Sequence, residues 1–256
     1  MEIFLLVVIG ALGLAVGSFI NAAVYRLHAG KFKSLLTGRS FCPKCKKKLA
    51  ARDLIPLVSF LWLKGKCRFC HKKIAVHYFI IELTTAVAFL LVALFGASGL
   101  EPLLWNLFFV STLIFIASFD AQFGEIPDEV ALPAIVFALV GSFLAFTLAP
   151  LTALIGALVG GGFFTALVLI SDGKWMGGGD IRVGLLLGAL TGWRGFIVAL
   201  FVASFLGSVV GIIQILRKKK KLQSALPFAP FLAVGGIVAL LFSQQICAWY
   251  LGYLLP

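Results

Sequence analysis

Apolar residues fill this chain in eight stretches, 3–24, 78–97, 102–119, 130–148, 151–170, 183–193, 195–216 and 227–242, joined by short polar links and one long one. About twenty apolar residues cover the hydrocarbon of a bilayer as a helix, so seven of these read directly as spans. The sixth, 183–193, has only eleven residues. Parity makes it a crossing too. If it did not cross, the basic run 217–221 would lie on the face opposite the basic segment 25–77, against the rule that Lys and Arg stay on the cytoplasmic side. The expected fold is therefore an all-α, polytopic membrane bundle of about eight transmembrane helices with both termini outside. The first stretch lacks a basic flank and is long enough to span, so it reads as a retained helix and not as a signal peptide.

Composition agrees: 61% hydrophobic residues, 12% charged residues and a mean hydropathy of +1.09 exclude a water-soluble domain. The net charge of +12 is concentrated, because 25–77 holds fourteen of the basic residues and a single acid, Asp53. Such asymmetry reports topology first. A nucleic-acid module is not expected in a segment so short and flanked by spans. The lipid bilayer is the expected environment, with anionic headgroups as possible contacts of the lysines. The chain divides into a first transmembrane helix, 1–24, a small cytoplasmic tetracysteine domain, 25–77, and a membrane-embedded part, 78–256.

Chemistry enters at three places. Cys42-Pro43-Lys44-Cys45 and Cys67-Arg68-Phe69-Cys70 are separated by twenty-one residues. Four thiolates at that spacing close a tetrahedral site around zinc, with iron in the same geometry or two redox pairs as the alternatives. His71 and His77 are not needed as ligands and read as solvated, and Cys247 reads as a small buried hydrophobe. Two acids then stand at span ends. Asp120 closes the third stretch, and Asp180 follows Gly177-Gly178-Gly179, glycines that permit an extended backbone beside a substrate strand. An acid at mid-bilayer costs about 2.5–3.5 kcal/mol on insertion scales, so each needs a wet edge or a proton. Counting crossings brings both to the cytoplasmic face, where two close carboxylates would share one proton and could activate water as an aspartic protease does. Asp128, Glu125 and Asp172 read as solvated loop charges. Glu82, one turn inside the second span, is either functional or reaches headgroup water. Against the protease stand an ion-coupled transporter and an assembly scaffold with structural acids. Neither matching broken helices nor an acid and base relay favours the transporter.

The motifs together resemble the bacterial type IV prepilin peptidases, the bifunctional leader peptidase and N-methyltransferase group of GxGD aspartyl proteases. The resemblance rests on Gly17-Ser18-Phe19-Ile20-Asn21 with Tyr25-Arg26-Leu27, Arg39-Ser40, Asp53-Leu54-Ile55-Pro56 and both cysteine pairs. It continues through Tyr78 with Glu82, Asp120 with Ile126-Pro127-Asp128, Gly177-Gly178-Gly179-Asp180, and Pro227-Phe228-Ala229-Pro230-Phe231. It implies that Asp120 and Asp180 are catalytic. The substrates would be prepilins or pseudopilins, cut after a glycine in the inner membrane with the site facing the cytoplasm. It further implies methylation of the new N-terminus with S-adenosylmethionine as donor. No residue of the chain is assigned to that donor, because no Rossmann-type glycine signature is present.

Overall fold

The computed structural model describes residues 2–31, 38, 40–96, 99–144, 148–217 and 226–254. Arg39 and the basic residues 218–221 lie outside them. Contacts divide the chain into two compact units, Met1–Phe95 and Gly96–Pro256.

In the first unit, helix α1 (Glu2–His28) packs along α3 (Val76–Phe95), and the cysteine module with the short helix α2 (Val58–Trp62) is strung between them. Small residues make the α1–α3 contact possible. A Cβ on Gly13 would stand 2.7 Å from Ala86 Cα, and one on Gly17 would stand 2.7 Å from Glu82 Cα. In lipid, where apolar side chains gain nothing by leaving apolar solvent, such close backbone approach supplies the packing energy. Gly10 has ordinary contacts only.

The second unit is built from α4 (Leu100–Phe123), α5 (Asp128–Phe143), α6 (Pro150–Ile170), α7 (Gly179–Leu216) and α8 (Ala229–Leu254). Helix α7 consists of two helical arms that meet at Gly192, whose φ of 68° and ψ of 176° suit glycine alone. Its two arms fold back on each other. On α6, Gly160 faces both Gly184 and Phe196; on α8, Gly236 faces Leu187 while its neighbour Gly235 faces Ala199. Residues before and after the break therefore lie side by side, and the eleven-residue stretch forms the first arm of a helical hairpin. That arm, 179–191, is about 20 Å long, short of the roughly 30 Å of hydrocarbon.

Each of the eight apolar stretches lies largely within a helix among the described residues. Among the described residues, six helices are long and apolar enough to cross a bilayer, with α7 counted once; α5 has 16 residues. The interior is apolar, with Phe109, Leu113, Phe164, Leu186, Phe196 and Leu232 fully enclosed. The exterior is apolar as well. Leu158, Leu169 and Phe201 point outward, an arrangement that water would punish and lipid accepts. The protein is a multi-pass membrane protein.

Candidate active site

Asp120 does not end its helix as the apolar pattern implies, because α4 runs one turn further. It closes at Gly124, whose left-handed φ of 71° lets its N–H reach back to the Asp120 carbonyl at 2.8 Å. The chain then restarts as α5 at Asp128 after Pro127, where a proline fits because the first helical turn needs no amide partner. Asp180 is the second residue of α7, and its N–H reaches the Gly177 carbonyl at 3.2 Å. Both side chains are withdrawn from the surface, Asp120 at 7% exposure and Asp180 at 9%. Sixty residues of chain separate them, so the fold assembles what the sequence keeps apart.

Three contacts hold this geometry. The Ala229 N–H, in the first turn of α8, donates to Asp120 Oδ2 at 3.1 Å. A helix N-terminus carries unpaired amides and a partial positive charge, a natural seat for a carboxylate. Gly179 lies against Ile126, where any Cβ would come within 3.0 Å of Ile126 Cδ1 and push the glycine loop away from the α4–α5 turn. Arg182 grips Asp128 through Nε at 2.7 Å and a second nitrogen at 2.9 Å, tying the start of α7 to the start of α5.

The glycine loop differs from the extended strand expected of it. Gly178 sits at φ −61° and ψ −13°, a helical conformation, and no atom lies within 4 Å of where its Cβ would be. Bare backbone is thus left next to Asp180, and of the three glycines only Gly179 has a neighbour packed tightly against the position of a Cβ. Asp128, expected as a solvated charge, is paired. His77 is half-buried and stacks on Tyr78 with ring centroids 4.4 Å apart, which replaces the solvated reading.

The four cysteines of the first unit form one cluster, with all Sγ atoms within 4.8 Å of one another. Two matching knuckles present them. Cys42 N–H bonds to Lys47 and Lys46 N–H to Cys42; Cys67 N–H bonds to Lys72 and His71 N–H to Cys67. Each knuckle turns through a residue in the left-handed region, Lys46 at φ 59° and His71 at φ 54°. The Lys72 amide, which favours a thiolate, is outweighed by burial and by the neighbouring thiols of Cys67, Cys45 and Cys42, which push the Cys70 thiol up to about 11. Four thiolates this close need a cation between them, and the cluster has the ligand number and spacing to hold a metal ion.

Comparison with known proteins places these features. Residues 11–95 match a family profile described as the bacterial peptidase A24 N-terminal domain, and residues 107–212 match the type IV leader peptidase family. A prepilin leader peptidase/N-methyltransferase of Aeromonas salmonicida is 32% identical over 94% of this chain and 92% of its own. The chain belongs to the type IV leader peptidase family. A member from Bacillus subtilis is 33% identical over 93% of this chain and 95% of its own, and one from Legionella pneumophila is 29% identical over 98% and 96%. No solved structure matches the chain.

In the sequence alone, Arg182 has no assigned role and Ala229 is named only as part of a motif that carries the resemblance. Arg182 carried a usable signal, since a guanidinium two residues after Asp180 in an apolar helix must find an acid. Ala229 carried none, because its contribution is a backbone amide whose direction only the fold sets.

Proposed function

We propose that Asp120 and Asp180 are the carboxylates that hydrolyse the leader peptide bond of a prepilin or pseudopilin, at the cytoplasmic boundary of the bacterial plasma membrane. The observation that carries this reading is that two buried acids stand on α4 and α7 where those elements meet, through Gly179 against Ile126 and Arg182 against Asp128, beside exposed glycine backbone. The Ala229 N–H can only donate, so the single charge of the pair is best placed on Asp120, and Asp180 holds the shared proton. Asp120 takes a proton from water as the water oxygen adds to the scissile carbonyl carbon, and Asp180 donates a hydrogen bond to the carbonyl oxygen. The resulting tetrahedral centre collapses as the amine accepts a proton and the C–N bond breaks, leaving a leader carboxylate and a free N-terminal amine. The apolar helix of a prepilin lying beside the bundle would present its leader at this depth. Low-dielectric walls strengthen the electrostatics of the pair.

The same chain then methylates the new amine, with S-adenosylmethionine as the donor. When bound, that cofactor would supply a methyl group on a positively charged sulfur, which the amine lone pair would take as the C–S electrons returned to sulfur and the amine released a proton. The cysteine cluster is best filled by structural zinc. At a Zn–S distance of about 2.3 Å a tetrahedral site has S–S edges of about 3.8 Å, close to the 4.0 Å between the Sγ atoms of Cys42 and Cys70.

Asp120→Asn and Asp180→Asn, purified separately in detergent and assayed on a prepilin, should each lower cleavage by about 10²–10⁴-fold. Normal cleavage by either variant would overturn the paired-acid mechanism.

A further inference from the structure

The acid pair lies within Gly96–Pro256 and leaves methyl transfer without a site. In the first unit, a cavity of about 420 Å³ opens between α1, α3 and the cysteine module. Small-molecule sites span about 300–1,000 Å³. Asn21, 6% exposed, stands in its wall with Nδ2 donating to the Tyr78 carbonyl at 3.0 Å. Its Oδ1 is buried and meets no hydrogen-bond donor among the described residues. Buried polar atoms are almost always satisfied, and an orphan in a cavity wall marks where a ligand N–H would go.

Two carboxylates line the same space. Asp53 uses both oxygens, one on Arg68 at 2.7 Å and one on the Ala50 N–H at 3.2 Å. Glu82 is met by neutral donors, the Leu57 N–H at 2.8 Å and the Ser18 hydroxyl, and forms no salt bridge among the described residues. Leu57 is held at φ 58° to make that bond, a conformation uncommon for a residue with a side chain and typical of clamped sites. The rings of Tyr25, Phe41 and Tyr78 line it too, as do the basic side chains of Arg26, Lys44, Arg68, Lys72 and Lys73. An acid with no salt bridge among the described residues, aromatic faces and an orphan acceptor suit a cation attached to a flat base with an exocyclic amine, and the basic side chains suit the carboxylate of an amino-acid tail.

We infer that this cavity holds the methyl donor, a sulfonium nucleoside with an amino-acid tail, and that Glu82 and Asn21 bind it. The inference rests on the methyltransferase reading above. Cys42 and Cys67 form part of the wall, so the metal cluster also fixes the shape of the cavity. The roomier groove between α4 and α5, lined mainly by Leu104, Trp105, Phe108, Pro133 and Phe137, fits acyl chains better than a polar cation.

Calorimetric titration of the full-length, metal-loaded protein in detergent reads binding without turnover. Glu82→Gln should weaken S-adenosylmethionine at least tenfold and the uncharged-sulfur product S-adenosylhomocysteine less, whereas Asn21→Leu should weaken both alike, each at wild-type metal content. Wild-type affinity in both variants overturns the assignment. A photoreactive adenosyl analogue on the unmodified protein provides a second measurement that does not depend on how the variants fold. Labelled peptides from 18–82 support the site, and labels confined to 96–254 overturn it while leaving methyl transfer intact. A wild-type protein that binds neither probe removes the methyltransferase reading and the site together.

Discussion

Between residues 29 and 75, the only buried residues among those described are Cys42 and Cys67, whereas the bundle from α4 to α8 encloses layer on layer of Phe, Leu and Ala. The first region is a module without a hydrophobic core. Its order comes from two tight knuckles and the thiols they present, so whatever joins the thiols is the core. The bundle needs no such staple. Its helices are held by backbones in contact, and its acids are placed by the way those helices meet. Two ways of building a site thus coexist in one chain, one resting on clustered thiols and one on steric fit.

Metal removal should break this contrast most severely. Structural zinc is worth about 10–16 kcal/mol of apparent folding free energy in small modules, far more than a peptide with two buried side chains can lose and remain folded. Chelation, or Cys67→Ser, should therefore open 29–75 to limited proteolysis and abolish methyl-donor binding, while the thermal transition of α4–α8 stays in place. Elemental analysis should give one metal ion per chain before treatment. A module that resists protease after the metal is gone would show that the core lies elsewhere.

Steric fit in the bundle is tested next. Gly156 and Gly160 on α6 face Gly188 and Gly184 on the first arm of α7; a Cβ on Gly184 would stand 2.6 Å from the Gly160 carbonyl oxygen. Gly162, two residues on and turned away from that face, has nothing within 4 Å of such a Cβ. Gly184→Leu should destabilise the bundle by at least about 1–3 kcal/mol and reduce cleavage at least tenfold, because Asp180 is carried by the same helix. Gly162→Leu should change neither. Equal effects of the two substitutions on the melting temperature would mean that side-chain volume in general, not this backbone contact, is what the bundle resists.

The contrast also explains what could be read in advance. The cysteine spacing is a local pattern, and the ligands it names are the ones that cluster. The apolar stretches set helix number well, and even the short 183–193 was legible through the charge on either side of it. Parity implied a reversal, and Gly192 makes one. What was hidden is non-local. Nothing in the neighbourhood of Asp128 says that Arg182 will reach it, and the α4 pattern ends at Phe119 because apolarity ends there, although the helix runs to Phe123. The cavity beside Glu82 was equally out of sight, since its wall joins residues from α1, α3 and both knuckles.

The smallest expected effect concerns the Arg182–Asp128 clamp. The pair is partly exposed, with side chains 33% and 49% accessible, so screening by solvent limits its contribution to about 1 kcal/mol or less. Its importance lies in where that energy is used, at the junction that sets the approach of Asp180 to Asp120. Arg182→Ala and Asp128→Ala should each lower kcat for prepilin cleavage by roughly fivefold, about 1 kcal/mol, with KM unchanged. The double variant should be no worse than either alone, the signature of two residues acting as one contact. Arg182→Lys should recover little, because an ammonium cannot reproduce the two-nitrogen grip. If the two losses multiply, or if KM rises in place of a fall in kcat, the residues contact substrate or solvent independently. The placing of the acids would then fall to Ile126 against Gly179 and to the α8 amide.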